Sequence, residues 1–215
     1  MKIIIINGSP RTNGSTATIL HQIENELISN GVETAYYDLK ELYIDPCSGC
    51  CSCYKTGHCY KNDDAEILSE QIRKSDGLVI GSPTYACNVS GTMKLFIDRG
   101  HFVIEQLLYN KFCITVSTGE NYGYRKTLRI LNELVLYSGG YICGSIAVKT
   151  PFAESFPIND KTKRSCCRTS RNLILCRKSL LQSIAHNIIF RFGIRPFVYK
   201  KGPAYQGVID RWEEI

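Results

Sequence analysis

Short runs of consecutive apolar residues alternate, over the first 150 residues, with longer stretches whose apolar residues recur every three or four positions. The run at 2–7 is typical of a strand that is buried on both faces of a parallel sheet. In the stretch at 15–29, Ile19, Ile23 and Leu27 follow the period of one helical face. Strands that alternate in this way with helices predict βαβ units, and therefore a parallel sheet.

This pattern gives five strands and four helices in the first part of the chain. The predicted strands are 2–7, 32–39, 77–85, 111–118 and 141–150, and the predicted helices are 15–29, 64–75, 90–101 and 125–138. Gly31 is a helix stop signal and Ser90 is a candidate helix cap. Five such strands fit a doubly wound α/β fold with the strand order 2-1-3-4-5. That fold binds ligands at the carboxyl ends of its strands, near the switch point between strands 1 and 3.

The pattern changes after Pro151. We expect a loop over 151–163 and then a basic helix over 164–191 that Gly193 and Pro196 end. The predicted apolar side of this helix consists of Leu173, Leu180, Leu181, Ile184, Ile188 and Ile189. We therefore predict a ligand-binding domain at 1–150, with a cysteine-rich loop at 44–62, and a basic helical C-terminal extension at 151–215. The extension is compatible with a lid, a dimer arm or a peripheral cap.

The net charge of +6 is concentrated in one part of the 215-residue chain. Residues 149–201 carry 12 Lys and Arg against 2 Asp and Glu. Such a segment attracts phosphates, nucleic acid or an acidic protein, although a solvated basic face is the ordinary alternative. It has neither an aromatic platform nor a helix-turn-helix signature, so we do not expect nucleic acid as a partner.

Targeting signals are not evident in the sequence. The chain enters its first predicted strand without a secretory h-region, and no apolar run reaches the length of a membrane helix. We expect a cytoplasmic protein without a membrane partner. A disulfide framework for the 11 cysteines is therefore disfavoured, and metal or redox use is favoured.

The loop GSPRTNGST follows the first strand and opens the first helix. Its candidate anion-binding residues are Ser9, Arg11, Asn13, Ser15 and Thr16. Backbone N–H groups at a helix N-terminus bind anions, and a loop rich in hydroxyl groups suits a terminal phosphate such as that of FMN. The loop lacks both the GK[ST] of a Walker A loop and the G-x-G-x-x-G of a dinucleotide site. A simple helix cap with a Gly-rich turn is the alternative.

Two more loops leave the same edge of the predicted sheet, at 82–91 and 117–123. Both combine Gly, small polar residues and aromatic residues. Three such loops at one sheet edge are what a mononucleotide flavin requires. For Tyr85 and Tyr122, stacking on a ring and ordinary packing both remain open.

Four cysteines follow the spacing C-x2-C-x2-C-x5-C: Cys47, Cys50, Cys53 and Cys59. Iron–sulfur centres take one thiolate for each iron and commonly use two-residue gaps. Structural zinc sites more often use two C-x2-C pairs separated by a longer stretch. An iron–sulfur centre, a zinc site and a cysteine-rich loop without metal all remain open. Cys51 lies inside the run and is not an expected ligand of the same centre.

The motifs GSPRTNGST, CSGCCSCYKTGHCYKNDD, GSPTYACNVSGTMKLFIDR and YQGVIDRW together resemble the NADPH-dependent FMN reductase family. More narrowly, they resemble its iron–sulfur flavoprotein branch. The resemblance covers residues 1–150 well and the far C-terminus weakly. It implies a flavodoxin-like fold, bound FMN, NAD(P)H as electron donor and assembly into a homo-oligomer, a dimer or a tetramer. The segment 151–195 matches no pattern of the family.

The resemblance also assigns residues. It implies that the phosphate contacts Ser9, Arg11, Asn13, Ser15 and Thr16, and that the isoalloxazine contacts Pro83, Thr84, Tyr85, Asn88, Thr118 and Gly119. It implies a 4Fe–4S cluster on Cys47, Cys50, Cys53 and Cys59. The expected function is an NAD(P)H-dependent flavin oxidoreductase in which the cofactor supplies the chemistry and no side chain is singled out as catalytic. A flavodoxin-like electron carrier, which needs a partner reductase and docks a ferredoxin-like protein, is the alternative.

Overall fold

The computed structural model describes residues 1–151 and 157–214. Its five strands form one parallel sheet in the order β2-β1-β3-β4-β5, which confirms the predicted fold class. The strands are β1 Lys2–Asn7, β2 Glu33–Asp38, β3 Gly77–Pro83, β4 Phe112–Gly119 and β5 Tyr141–Lys149. The helices are α1 Ser15–Ser29, α2 Ser52–Thr56, α3 Asp64–Arg73, α4 Gly91–Arg99, α5 Tyr124–Tyr137, α6 Asp160–Ile174, α7 Leu180–Ile189, α8 Arg195–Lys201 and α9 Gln206–Glu213.

Strand β1 explains why the sheet is buried on both faces. Its side chains alternate, so that Ile3 and Ile5 pack with α1 and α6, whereas Ile4 and Ile6 pack with α3, α4 and α5. All four of these side chains have no exposed surface. Helices on both faces of a parallel sheet leave its carboxyl edge as the place where loops meet.

Helix α6 lies beyond the predicted domain boundary but belongs to this core. Its Cys166 and Leu173 are fully buried in the cluster that also contains Ile19 and Ile23 of α1. It begins at Asp160, where Asn159 caps it, and not at 164 as predicted. The division of the chain at residue 150 remains a prediction, and residues 152–156 of the predicted loop lie outside the described residues.

The prediction of one helix over 164–191 is wrong. Helix α6 ends at Ile174, and Cys176 has a φ of +48°. The Cys176 N–H donates to the Leu173 carbonyl and the Arg177 N–H to the Asn172 carbonyl, which together form a Schellman ending. Ser179 then caps a new helix, α7. Since neither Gly nor Pro marks the break, helical periodicity continues through it in the sequence.

Gly193 and Pro196 do not end the C-terminal helix as predicted. The chain passes through a π-helical turn, Phe190–Ile194, into α8, where Pro196 occupies the first turn and needs no hydrogen-bond acceptor. The predicted apolar side does not form one buried face either. Leu173 is in the core, whereas Leu180 and Leu181 are 75% and 78% exposed.

The C-terminal helices cover the sheet edge and then return to the cysteine loop. The Gln182 amide donates to the carbonyl of Ile142 and accepts from its N–H, so it pairs with edge strand β5 as a neighbouring strand would. Farther along, Val198 and Val208 form a separate small core against Tyr54 and Ile104. Within the described residues, no helix combines the length and the apolar character that spanning a membrane requires.

Candidate cofactor sites

A cavity of about 400 Å³, here called the switch-point cavity, lies at the carboxyl ends of β1, β3 and β4. Nine of the eleven residues predicted to bind FMN line it: Ser9, Arg11, Ser15, Thr16, Pro83, Thr84, Tyr85, Thr118 and Gly119. Asn13 and Asn88 are absent from its lining and are exposed elsewhere. The three loops that are far apart in sequence therefore meet in one place.

The first loop leaves the N-terminus of α1 open towards this cavity. Gly14 precedes the helix and supplies no side-chain cap for its first amides. The loop is held by its own side chains, since Asn7 Oδ1 accepts from the Ser9 N–H at 3.0 Å and Ser9 Oγ accepts from the Arg11 N–H at 3.1 Å. A helix N-terminus without a side-chain cap is suited to binding an anion.

The second loop turns sharply. Tyr85 and Asn88 exchange two backbone hydrogen bonds of 3.0 Å, and between them Ala86 and Cys87 have φ angles of +48° and +61°. These values are typical of a type I′ turn, which favours Gly and Asn because other side chains cost about 1–2 kcal/mol there. Asn88 Oδ1 accepts from the Val89 N–H, so this oxygen of Asn88 takes part in the turn.

The threonine residues that line the switch-point cavity include Thr16, Thr84 and Thr118. Thr16 Oγ1 and Thr118 Oγ1 lie 2.7 Å apart and connect the first and third loops. Thr84 Oγ1 is buried and has no hydrogen-bond partner among the described residues. A buried hydroxyl without a partner is costly unless a ligand or water satisfies it. The open helix N-terminus and this hydroxyl fit a phosphorylated heterocycle such as FMN.

A second cavity, of about 270 Å³ and here called the cysteine cavity, lies beside α2 and the end of α4. Cys47, Cys50, Cys53 and Cys59 all line it, and so does Cys51. The remaining walls include Arg99, His101 and Glu105. All four predicted ligands therefore face one space, which shares no lining residue with the switch-point cavity.

His101 is positively charged in this cavity. Its Nδ1 lies 2.5 Å from Glu105 Oε1, and its Nε2 lies 2.9 Å from Glu66 Oε2. Burial lowers the pKa of His101, but hydrogen bonds with Cys53, Glu105 and Glu66 outweigh burial and raise the pKa to about 11. The same contact with His101 overcomes burial at Glu66 and lowers the pKa of that carboxyl to about 2.

The side chains of Cys53, His101 and Glu105 bring possible metal-ligand atoms within 4.8 Å of one another. Because both ring nitrogens of His101 face carboxylates, the imidazolium has no lone pair left for a metal. The three residues are therefore better described as an ion-pair network that ends at a cysteine than as a separate metal site.

Arg99 supplies a second buried cation. Its guanidinium holds both oxygens of Asp63, at 2.7 and 2.8 Å, and also the Asp45 carbonyl at 2.7 Å. Burial lowers the pKa of Arg99, but the contacts with Asp63 and Cys59 outweigh burial, so the pKa lies above its usual value. Arg99 and His101 therefore place two cations beside Cys59 and Cys53. The site thus fits a thiolate-bound iron–sulfur centre, whose donor set is anionic.

Sequence reasoning missed three residues of this site: Arg99, His101 and Glu105. They lie about forty residues beyond the cysteines, and the sequence assigned His101 no role. The one available signal is that Arg99 ends the GSPTYACNVSGTMKLFIDR motif. No periodicity or spacing connects that motif with the cysteine loop, so only the folded chain brings them together.

Known proteins show similarity to the chain at both the sequence and the structural level. A family model described as NADPH-dependent FMN reductase matches residues 1–154. An iron–sulfur flavoprotein of Clostridioides difficile is 40% identical over 222 residues, which cover 100% of this chain and 98% of that protein. An iron–sulfur flavoprotein of Methanocaldococcus jannaschii is 31% identical over 67% of this chain and 76% of its own length.

The solved structures show the fold alone, because their sequence identity is low. A flavodoxin of Streptococcus pneumoniae aligns with a TM-score of 0.54, at 12% identity, over 81% of this chain and 97% of its own. A flavone reductase aligns with a TM-score of 0.64, at 18% identity, over 82% of this chain and 63% of its own. The fold is therefore flavodoxin-like, and with its motifs, its two cavities and the match over residues 1–154, the chain belongs to the NADPH-dependent FMN reductase family.

Proposed function

We propose that this protein is an oxidoreductase that binds FMN in the switch-point cavity and a 4Fe–4S cluster in the cysteine cavity, with NAD(P)H as its electron donor. The observation that carries the proposal is the convergence of nine predicted residues, from three separate loops, on one cavity. The names of the iron–sulfur flavoproteins that are similar to this chain support the cluster.

FMN, when bound, supplies one- and two-electron chemistry. The chain's own residues would then bind and orient it. The open N-terminus of α1, together with Ser9, Ser15 and Thr16, would hold the phosphate. Thr84 Oγ1, which has no partner among the described residues, would satisfy a polar edge of the heterocycle.

In the cysteine cavity, Cys47, Cys50, Cys53 and Cys59 would each donate one thiolate. Arg99 and His101 would stabilise the negative charge of that donor set from the walls of the cavity. Charged groups and hydrogen bonds around the ligands of a metal centre tune its potential and its stability. These two cations are therefore part of the proposed site although neither is a ligand.

The test is a visible absorption spectrum of anaerobically purified protein, with iron and sulfide assayed in the same sample. We expect flavin bands, a broad iron–sulfur absorbance and about four iron per chain. Flavin without iron would contradict the cluster and leave a plain flavoprotein. Protein that holds neither flavin nor iron and takes up no FMN would contradict the whole proposal.

A specific observation favours an alternative, the flavodoxin-like carrier without its own NAD(P)H turnover. Residues 161–209 contain 11 Lys and Arg but no Asp or Glu, and they also present exposed apolar residues such as Leu181 and Phe192. A basic surface with apolar residues suits an acidic, ferredoxin-like partner. Direct NAD(P)H oxidation by the purified protein supports the enzyme. Reduction that requires an added reductase, and that weakens as salt rises, supports the carrier.

We also propose, on the resemblance, that the protein forms a homo-oligomer, either a dimer or a tetramer. Native mass spectrometry of the FMN-loaded protein tests this directly. A monomer at micromolar concentrations would contradict it.

A further inference from the structure

The C-terminal segment at 202–213, here called the C-terminal clamp, packs directly on the cysteine loop. It consists of a 3-10 turn, Gly202–Tyr205, and helix α9. The Tyr205 ring stacks on the Tyr54 ring of α2 with a centroid distance of 4.7 Å. A Cβ placed on Gly207 would lie 2.1 Å from the Gly57 nitrogen. The two backbones are therefore in contact at a point that only glycine allows.

Arg211 connects the clamp with the ion-pair network of the cysteine cavity. Its guanidinium donates to the Gly57 carbonyl, at 2.9 Å from Nε, and Nε also lies 3.2 Å from Glu105 Oε2. The other oxygen of Glu105 contacts His101, which in turn contacts Cys53. Glu105 is 1% exposed, and a carboxylate so deeply buried requires compensating charge.

Helix α2, which carries Cys53, has few features of its own that stabilise it. It has five residues, none of them buried, and no side chain caps its start. A helix this short is unstable unless tertiary contacts hold it. The clamp provides contacts of this kind through Tyr205, Gly207 and Arg211.

We propose that the C-terminal clamp sets the position of the cysteine loop, with Gly207 and Arg211 as positioning residues that hold Cys53 ready for the cluster. This inference rests on the proposed function for its reference to a cluster. The packing of the clamp on α2 does not require a metal. The role of the clamp and the presence of a cluster can therefore be tested separately.

The first test is a pair of matched substitutions in the full-length protein. Gly207→Ala inserts a methyl group between two backbones, whereas Gly193→Ala meets no atom within 4 Å. In iron-free protein, we expect Gly207→Ala to increase amide hydrogen exchange of residues 52–57 about tenfold. Gly193→Ala should match wild type. Flavin affinity, measured on the same samples, should be unchanged in both and shows that the fold is intact.

The second test uses Arg211 and requires no change of backbone packing. After reconstitution with iron and sulfide, we expect Arg211→Ala to lose its iron to a chelator about tenfold faster than wild type. The midpoint potential of its remaining cluster should be more negative, since Glu105 loses one of the cations that compensate its charge. Arg211→Lys should restore both values towards wild type, because the ammonium group keeps a charge opposite Glu105.

The outcomes separate this inference from the proposed function. A wild-type protein that takes up no iron contradicts the proposed cluster, while the exchange experiment on iron-free protein still tests the clamp. Equal exchange in Gly207→Ala and Gly193→Ala overturns the clamp, and so does chelator resistance in Arg211→Ala equal to that of wild type. Neither result alters the proposed function.

Discussion

Thr84 lines the switch-point cavity and carries one buried hydroxyl group. Its backbone N–H donates to the Thr118 carbonyl at 2.8 Å, which fixes the main chain, whereas Oγ1 has no partner among the described residues. Such an atom lowers the stability of the ligand-free protein and gains a hydrogen bond when a polar ligand arrives. Removal of this hydroxyl is therefore expected to raise the stability of the ligand-free protein and to lower its affinity for the ligand.

Replacement of Thr84 by Val tests this expectation. Since Val keeps the shape and removes the unsatisfied hydroxyl, we expect the free energy of unfolding of FMN-free protein to rise by about 1 kcal/mol. FMN affinity should fall about tenfold. Urea denaturation and fluorescence titration measure the two effects. Thr127→Val is the control, because Thr127 Oγ1 donates to the Asn88 carbonyl and its loss should destabilise the protein.

At the scale of single elements, the C-terminal helices depend on how they end and on what they cover. Helix α6 ends at a left-handed Cys176, a position at which glycine is preferred. Helix α7 then covers α5, where His186 is buried with Nδ1 3.1 Å from the Leu136 carbonyl. Each of these features leads to a prediction about stability.

Cys176→Gly should stabilise the protein by about 1 kcal/mol, because glycine adopts a positive φ without the steric cost of a Cβ. The matched control is Cys167→Gly at another exposed cysteine, which lies within α6, where glycine should destabilise the helix. Urea denaturation midpoints compare the two variants. A decrease in stability for Cys176→Gly would contradict the proposed ending of α6.

The buried ring of His186 makes stability depend on pH. Burial lowers the pKa of His186 below its usual value of 6.5, so the folded state binds its proton less readily than the unfolded state. The contribution of the neutral ring is therefore present above about pH 6.5 and is lost as the pH falls. The free energy of unfolding of wild type should decrease more between pH 7.5 and pH 5 than that of His186→Gln. Parallel pH profiles would show that the ring does not titrate in this way.

At the scale of the whole molecule, the two cavities occupy separate regions of the same fold. The switch-point cavity is built at the carboxyl edge of the sheet, whereas the cysteine cavity is built between α2, the end of α4 and residues 101–105. They share no lining residue. Occupation of one cavity should therefore leave the binding properties of the other unchanged.

A double substitution, Cys50→Ser with Cys53→Ser, should abolish iron binding and leave the FMN dissociation constant within about twofold of wild type. The iron assay and a fluorescence titration on the same preparation give both numbers. A tenfold loss of FMN affinity would show that the two cavities are coupled. The corresponding variant Cys167→Ser, at an exposed position of α6, should retain both cofactors.

The strands and the first four long helices were predictable because each carries its own signal. The isoleucines of β1 and the cap at Ser90, which accepts from the Met93 N–H, are local properties. The break at Cys176 was not predictable from periodicity, since it depends on a backbone conformation that the residue type disfavours. The resemblance assigned Asn88 to the cofactor, which remains a prediction; in the structure its Oδ1 accepts from the neighbouring Val89 N–H.

The sequence by itself determined the parallel sheet, the turn at 8–14 that opens α1 and the spacing of the four cysteines, because each depends on periodicity or short-range pattern. Only the tertiary structure decided that Arg99 and His101 stand beside those cysteines and that α9 holds the loop that bears them. The reason is physical. A buried charge is tolerated only where other charges compensate it, and some of these partners, such as Glu105 and Arg211, are separated by about a hundred residues of chain.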